Sequence, residues 1–290
     1  MLYKTAQDWL NSPRKNVLFF GMSGLGKTHL SNMLRYGAGW FHYSIDYRIG
    51  TRYMGEYIAD YFKSEAMKQP VLRDLLLSDS IRVSSKVSFD NLTPVSSYLG
   101  KPGSADLGGL DWAEYTHRQE QFRQSEIAAL QDTANFIDRA QRIYGYQNFI
   151  CDTGGSICEW VDPDDPNDPL MADLAQNCLM IWIKGDDAHT AELIRRFDRA
   201  PKPMAYQPAF LLGAWTRYLD ENALAPDDVD PNAFIRWVYA QALAHRQPRY
   251  EKMAAGWGIT ITADDVAGLT DADAFVALIA KRLEDQVQSA

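Results

Sequence analysis

Gly21-Met-Ser-Gly-Leu-Gly26-Lys27-Thr28 sets glycines, a lysine and a hydroxyl at the spacing that binds phosphate. The chemistry of such a pattern is electrostatic. Backbone N–H groups of the Gly-rich turn wrap phosphate oxygens, Lys27 reaches the β- and γ-phosphates, and the Thr28 hydroxyl ligates Mg²⁺. Gly21, Ser23, Gly24, Gly26, Lys27 and Thr28 therefore form a candidate nucleotide-binding set. His29 is counted with them by position, and its side chain is read as helix surface or packing with no catalytic role.

A loop of this kind works only between a strand and a helix, because the helix N-terminus adds positive potential where phosphate sits. Asn16-Val-Leu-Phe-Phe20 reads as a short buried strand, and His29 to Tyr36 as a helix with Leu30, Met33 and Leu34 on one face. The motif and its flanks imply a nucleoside triphosphate. No Asn-Lys-x-Asp base-recognition motif follows a late strand, which favours ATP over GTP.

Further along, Trp40 to Ile45 reads as a second strand ending at Asp46, with a helix from about 51 to 66. One long helix is expected from Arg118 to Ile143, leading through Gly145 into a strand at Gln147–Cys151. Leu179–Ile183 and Gly258–Ile261 complete the strands. A helix follows the first of these through Leu193 and Phe197, helices dominate 205–255, and a last helix from Asp271 to Glu284 is capped by Asp271 or Thr270. Strands alternating with helices predict an α/β fold: a P-loop NTPase with a doubly wound, mainly parallel sheet, helices on both faces and a helical insertion or lid. The chain reads as a single domain over 1–290, with an insertion at 66–116 and a helical lid region at 195–250.

Asp46 ends a strand on the sheet edge where ligands bind in open α/β folds. It either orients an acceptor hydroxyl and takes its proton, or caps the following turn. Asp152 follows a hydrophobic strand, in the manner of a Walker B acid that positions Mg²⁺ through water. Its alternative is a turn-forming aspartate before Gly154. Arg48 and Arg52 are four apart and read either as an anion clamp or as surface charges.

The order of motifs resembles the shikimate kinase family, within the nucleoside-monophosphate-kinase-like P-loop group. Tyr43-Ser-Ile-Asp46 is similar to the segment carrying two family aspartates, with Asp46 on the substrate aspartate and Ser44 in place of the metal-associated one. Phe122-Arg123-Gln-Ser-Glu126 resembles the Phe-Arg-x-x-Glu signature, which implies that Arg123 clamps a substrate carboxylate. Asp152-Thr-Gly154-Gly155-Ser156 resembles the Thr-Gly-Gly-Gly turn of the substrate pocket, with Ser156 replacing the third glycine. Arg195 through Lys202-Pro-Met204 resembles the lid, where Arg195 would face the nucleotide and Lys202 replaces an arginine. His245-Arg246-Gln-Pro-Arg-Tyr250-Glu251 resembles the Arg-x-Pro-x-Tyr-Glu segment, whose arginine also touches substrate.

The resemblance implies a kinase that uses ATP and Mg²⁺ to phosphorylate a hydroxyl of a small anionic acceptor. In that reading Lys27, Asp46 and Asp152 are catalytic, Thr28 and Asp152 hold the metal, and Asp46, Arg123, Gly154, Gly155 and Arg246 bind substrate. The altered aspartate pair and the 66–116 segment point away from shikimate itself. The competing reading is an ATPase or nucleotide-dependent switch in which water replaces the acceptor.

The bulk numbers are compatible with both. At 290 residues, 46% hydrophobic and 23% charged, the chain can build a large globular core. A net charge of −9 argues against a nucleic-acid surface, and no apolar run approaches the length of a membrane span. Cys151, Cys158 and Cys178 are too few for a disulfide scaffold and read as free thiols of a cytoplasmic protein. Oligomeric state has no signature in the sequence.

Overall fold

The computed structural model describes residues 2–289, apart from the side chains of Ala38 and Ser289. In chain order it begins α1 (Ala6–Asn11), β1 (Asn16–Phe20), α2 (Lys27–Ala38), β2 (Trp40–Ser44) and α3 (Ile45–Arg48). A π-helical turn at Ile49–Tyr53 leads to α4 (Gly55–Met67), α5 (Pro70–Leu77), α6 (Thr93–Leu99), α7 (Trp112–Gln131) and α8 (Thr133–Tyr144). Then come β3 (Asn148–Asp152), α9 (Pro169–Asn177), β4 (Leu179–Lys184), α10 (Asp187–Arg199) and α11 (Pro208–Asn222). The chain closes with α12 (Pro231–Trp257), β5 (Gly258–Thr262), α13 (Ala263–Ala267) and α14 (Ala272–Ser289).

These elements form two compact units. The first holds the chain up to Ile45, Leu130–Ala200 and Val238 onward, and the second holds Asp46–Ala129 and Pro201–Trp237. The segment 66–116 lies in the second unit, whereas 195–250 is shared between the two.

The first unit is built on a five-stranded, all-parallel sheet in the order β2-β3-β1-β4-β5. Its central strands are apolar on both sides, as a doubly covered sheet requires. Alternate residues show the two layers. On one face Phe19 of β1 and Trp40 of β2 meet Phe275 of α14 edge-on, at 5.8 and 5.9 Å between ring centroids. On the other face Tyr43 stacks on Phe136 of α8 at 4.3 Å, and Phe20 packs against Tyr250 of α12. Trp9 of α1 is fully buried against the same Phe275, and Thr5 and Asp8 cap that helix reciprocally. Asp271, one of the two caps expected from the sequence, accepts from the Ala274 N–H at the start of α14.

The second unit is mainly helical. Ile58, Tyr115, Trp215 and Phe234 are among its buried side chains, and Trp112 stacks on Trp215 at 4.7 Å. Arg118 is buried between the rings of Tyr61 and Tyr98, at 4.9 and 4.8 Å, and donates to the Tyr98 carbonyl. One sequence expectation is corrected here: the single helix from Arg118 to Ile143 is two, α7 and α8, separated at Asp132. Asp132 and Thr133 are poor helix formers, and Thr133 is held in the first unit's core by contact with Cys151 Sγ at 3.8 Å.

Candidate functional site

With β1 central and β3 and β4 on either side of it, the chain reverses direction across the sheet at the C-terminal end of β1. A crevice opens at such a switch point. The loop of residues 21–26 leaves β1 there and runs into α2. Gly26 stands at the helix N-cap with φ +98°, and Gly21 has φ +129°. A Cβ at Gly21 would sit 2.7 Å from the Ile183 carbonyl oxygen of β4. Gly21→Ala is therefore expected to cost about 1–3 kcal/mol through backbone strain. An unchanged denaturant midpoint in that variant would contradict the strain.

Lys27 is buried, and its Nζ donates to the carbonyls of Gly21 at 2.7 Å and Met22 at 2.8 Å. The ammonium is thus gathered inside the curve of its own loop. Ser23, Gly24, Thr28 and His29 are exposed on the outer side. Thr28 Oγ1 donates to Asp152 Oδ2 at 3.3 Å, which joins the first turn of α2 to the end of β3. Asp152 is itself only 8% exposed. Thr153 anchors the same turn by donating to the Phe19 carbonyl at 2.8 Å.

Beyond Asp152 the chain passes through the buried Gly154 and Gly155. A Cβ at Gly155 would stand 3.1 Å from Ser23 Oγ, 3.4 Å from Ser23 N and 3.7 Å from Arg246 Nη1. Glycine at 155 therefore leaves open the space that a side chain would fill between Ser23 and the Arg246 guanidinium. Arg246 is 1% exposed, and its Nε donates to Glu159 Oε1 at 2.6 Å. His245 Nε2 lies 3.3 Å from the other Glu159 oxygen. Burial works against the charge on both partners. Even so, Arg246 and His245 hold the Glu159 carboxyl below its usual range, and Glu159 raises Arg246. Tyr250 donates to the Gly155 carbonyl from the same helix as Arg246, and Arg249 donates to the carbonyls of Cys158 and Val161.

Asp46 is half-buried in α3 and belongs to the second unit, as does Arg123 of α7. Arg123 forks onto Glu120, with both bonds at 2.7 Å, beside a cavity of about 250 Å³ lined in part by Trp112, Tyr206 and Leu211. Arg195 is exposed on α10 in the first unit and shares Glu192 with Arg196. Lys202 is exposed in the second unit. Arg48 lies over the ring of Tyr53 at 5.4 Å. All three cysteines are buried and free, and burial pushes their thiols up, so none is an activated nucleophile.

Sequence reasoning missed two residues of this site. His42, buried on β2, has its Nε2 3.3 Å from Asp152 Oδ2, and Glu159 holds Arg246. The only signal for either was a polar residue inside an apolar run, which does not by itself name a partner. Among the described residues no group of three or more His, Cys, Asp or Glu could hold a metal ion. The Thr28 hydroxyl and the Asp152 carboxylate are oxygen donors of the kind Mg²⁺ takes alongside water and phosphate oxygens. Nor, among the described residues, is any helix long and apolar enough to cross a membrane.

A parallel sheet covered on both faces, with this loop between β1 and α2, is the P-loop NTPase fold. No family model matches the chain, and no curated protein matches it at a significant level. Among solved structures it is similar to the shikimate kinase from Bacteroides thetaiotaomicron, at 16% identity and a TM-score of 0.36, covering 94% of this chain and 98% of that one. It is also similar to the shikimate kinase from Acinetobacter baumannii in complex with shikimate, at 13% identity and a TM-score of 0.37, covering 98% of each chain. Likenesses this distant carry no weight for function.

Proposed function

We propose that the protein is an ATP-dependent phosphotransferase that moves the γ-phosphoryl group to a hydroxyl of a small anionic acceptor. The observation that carries this reading is the Thr28–Asp152 contact at 3.3 Å beside a loop that gathers the Lys27 ammonium. A hydroxyl in the first turn of a helix, facing a strand-end carboxylate, is the pair of oxygens a phosphate-bound Mg²⁺ requires. Thr28 and Asp152 would hold Mg²⁺, which would supply positive charge to offset that of the transferring group.

The chain's own groups divide the remaining work. Gly21, Ser23, Gly24, Gly26 and His29 belong to the loop and helix start that surround the phosphates, and Lys27 places positive charge on the group in transfer. Arg195 and Lys202 are assigned to the nucleotide side. Asp46 orients the acceptor hydroxyl and takes its proton as the oxygen bonds to phosphorus and ADP leaves. Arg123, Gly154, Gly155 and Arg246 are assigned to the acceptor. Arg246 has the strongest support of these, because its Nη1 comes within 3.7 Å of where a Cβ at Gly155 would stand, a point also 3.1 Å from Ser23 Oγ of the loop. A fixed guanidinium next to the phosphate loop favours an acceptor that is itself anionic.

Asp152→Asn is expected to raise the Mg²⁺ concentration for half-maximal turnover about 10-fold, with nucleotide affinity in the absence of metal nearly unchanged. The check is ATP turnover titrated with Mg²⁺, alongside nucleotide binding in chelator. A wild-type titration curve would return Asp152 to a purely structural role.

A further inference from the structure

We propose that His42 is a positioning residue for the metal site, holding the Asp152 carboxylate in the orientation that faces Thr28. The inference rests on the reading of Thr28 and Asp152 as the Mg²⁺-binding pair, and it assigns a role to a residue outside that pair.

The strand register explains how a histidine on β2 reaches the end of β3. Ser44 lies opposite Asp152 and His42 opposite Ile150, in a parallel pairing. Residues two apart on a strand share a face, so the His42 ring leans along its strand toward the Asp152 position. Trp40, on that same face, meets Phe275 of α14. His42 is 7% exposed, and its Nε2 lies 3.3 Å from Asp152 Oδ2, the oxygen that also accepts from Thr28.

Two donors on one carboxylate oxygen fix both the position and the roll of the group. The other oxygen, Oδ1, takes no hydrogen bond among the described residues. An aspartate at the end of a strand otherwise turns about χ1 and χ2, and each alternative rotamer moves its oxygens off the helix start. The N–H at Nε2 is the needed group, and the neutral Nε2–H tautomer and the imidazolium both supply it. A merely space-filling role at this buried position would call for an apolar residue, because an imidazole with no partner is costly to bury. Partners that orient a metal-binding group tune metal affinity by about 10–100-fold.

The test separates the hydrogen bond from the volume. Gln and Met have side chains of the same length, and only Gln carries a donor at its end. ATP affinity is measured by calorimetry across a Mg²⁺ titration and again in chelator, for the intact protein, His42→Gln, His42→Met and Asp152→Asn, with a thermal melt of each.

His42→Met is expected to need about 10-fold more Mg²⁺ for half the affinity gain, His42→Gln to stay within a few-fold of the intact protein, and all to bind alike in chelator. Equal Mg²⁺ dependence in the Gln and Met variants, with Asp152→Asn shifted, would overturn the role of His42 and leave the metal site standing. No shift in Asp152→Asn would overturn both. Should neither His42 variant fold, ¹⁵N-histidine NMR of the intact protein decides. The buried imidazole signal must move when Mg²⁺ is added to the nucleotide complex, and a stationary signal would overturn the proposal.

Discussion

Lys27→Ala is expected to lower ATP turnover by about 100-fold or more, the loss typical when a fixed donor to transition-state charge is removed. The fold should survive the change. The Lys27 ammonium donates to the carbonyls of Gly21 and Met22 within its own loop, and that loop opens to solvent at Ser23 and Gly24. The Gly21 and Met22 carbonyls freed by the change are buried, so it costs about 1–3 kcal/mol, less than the total stability of a typical domain. Steady-state ADP formation and a thermal melt check the two halves of the statement. Undiminished turnover in a folded variant would remove the phosphate-loop assignment.

Glu159→Ala should be the most destabilising single change near the site, at about 3–5 kcal/mol. Glu159 is buried against Arg246 and His245, and its loss leaves the Arg246 guanidinium charged in a space that is 1% exposed. Its carboxyl is held below the usual range. A lowered folded-state value means that the stabilisation is fully present above the unfolded value and is lost as pH falls through the folded one. The gap between the intact protein and Glu159→Ala, measured by urea unfolding, should thus be wide at neutral pH and narrow in acid. A gap that stays constant on acidification would show that the Glu159 charge contributes nothing.

The elements nearest the phosphate loop were the most legible in the sequence. β1 has the boundaries read from its apolar run, and the other strands are displaced by a residue or so at their ends. Buried parallel strands advertise themselves as short apolar runs, and a Gly-rich loop cannot be mistaken for either neighbour. The α7–α8 break was hidden because periodicity runs through Asp132 almost undisturbed, while the turn is set by what Thr133 touches in the core. The roles of His42 and Glu159 were hidden for a related reason. They act on residues 110 and 87 positions away, respectively, through strand register and a helix distant in sequence. Arg246 was marked by motif order alone, and its setting near Gly155 depends on a glycine whose purpose is spatial.

The most direct test of the phosphotransferase reading is ATP turnover with Mg²⁺, measured alone and then with a panel of small hydroxylated acids, sugars and nucleosides. The account predicts that ADP formation rises with an anionic, hydroxyl-bearing member of the panel. A phosphorylated form of that compound should appear in equal amount. Phosphate release that no acceptor alters, with no phosphorylated product, would contradict it and make the protein an ATPase.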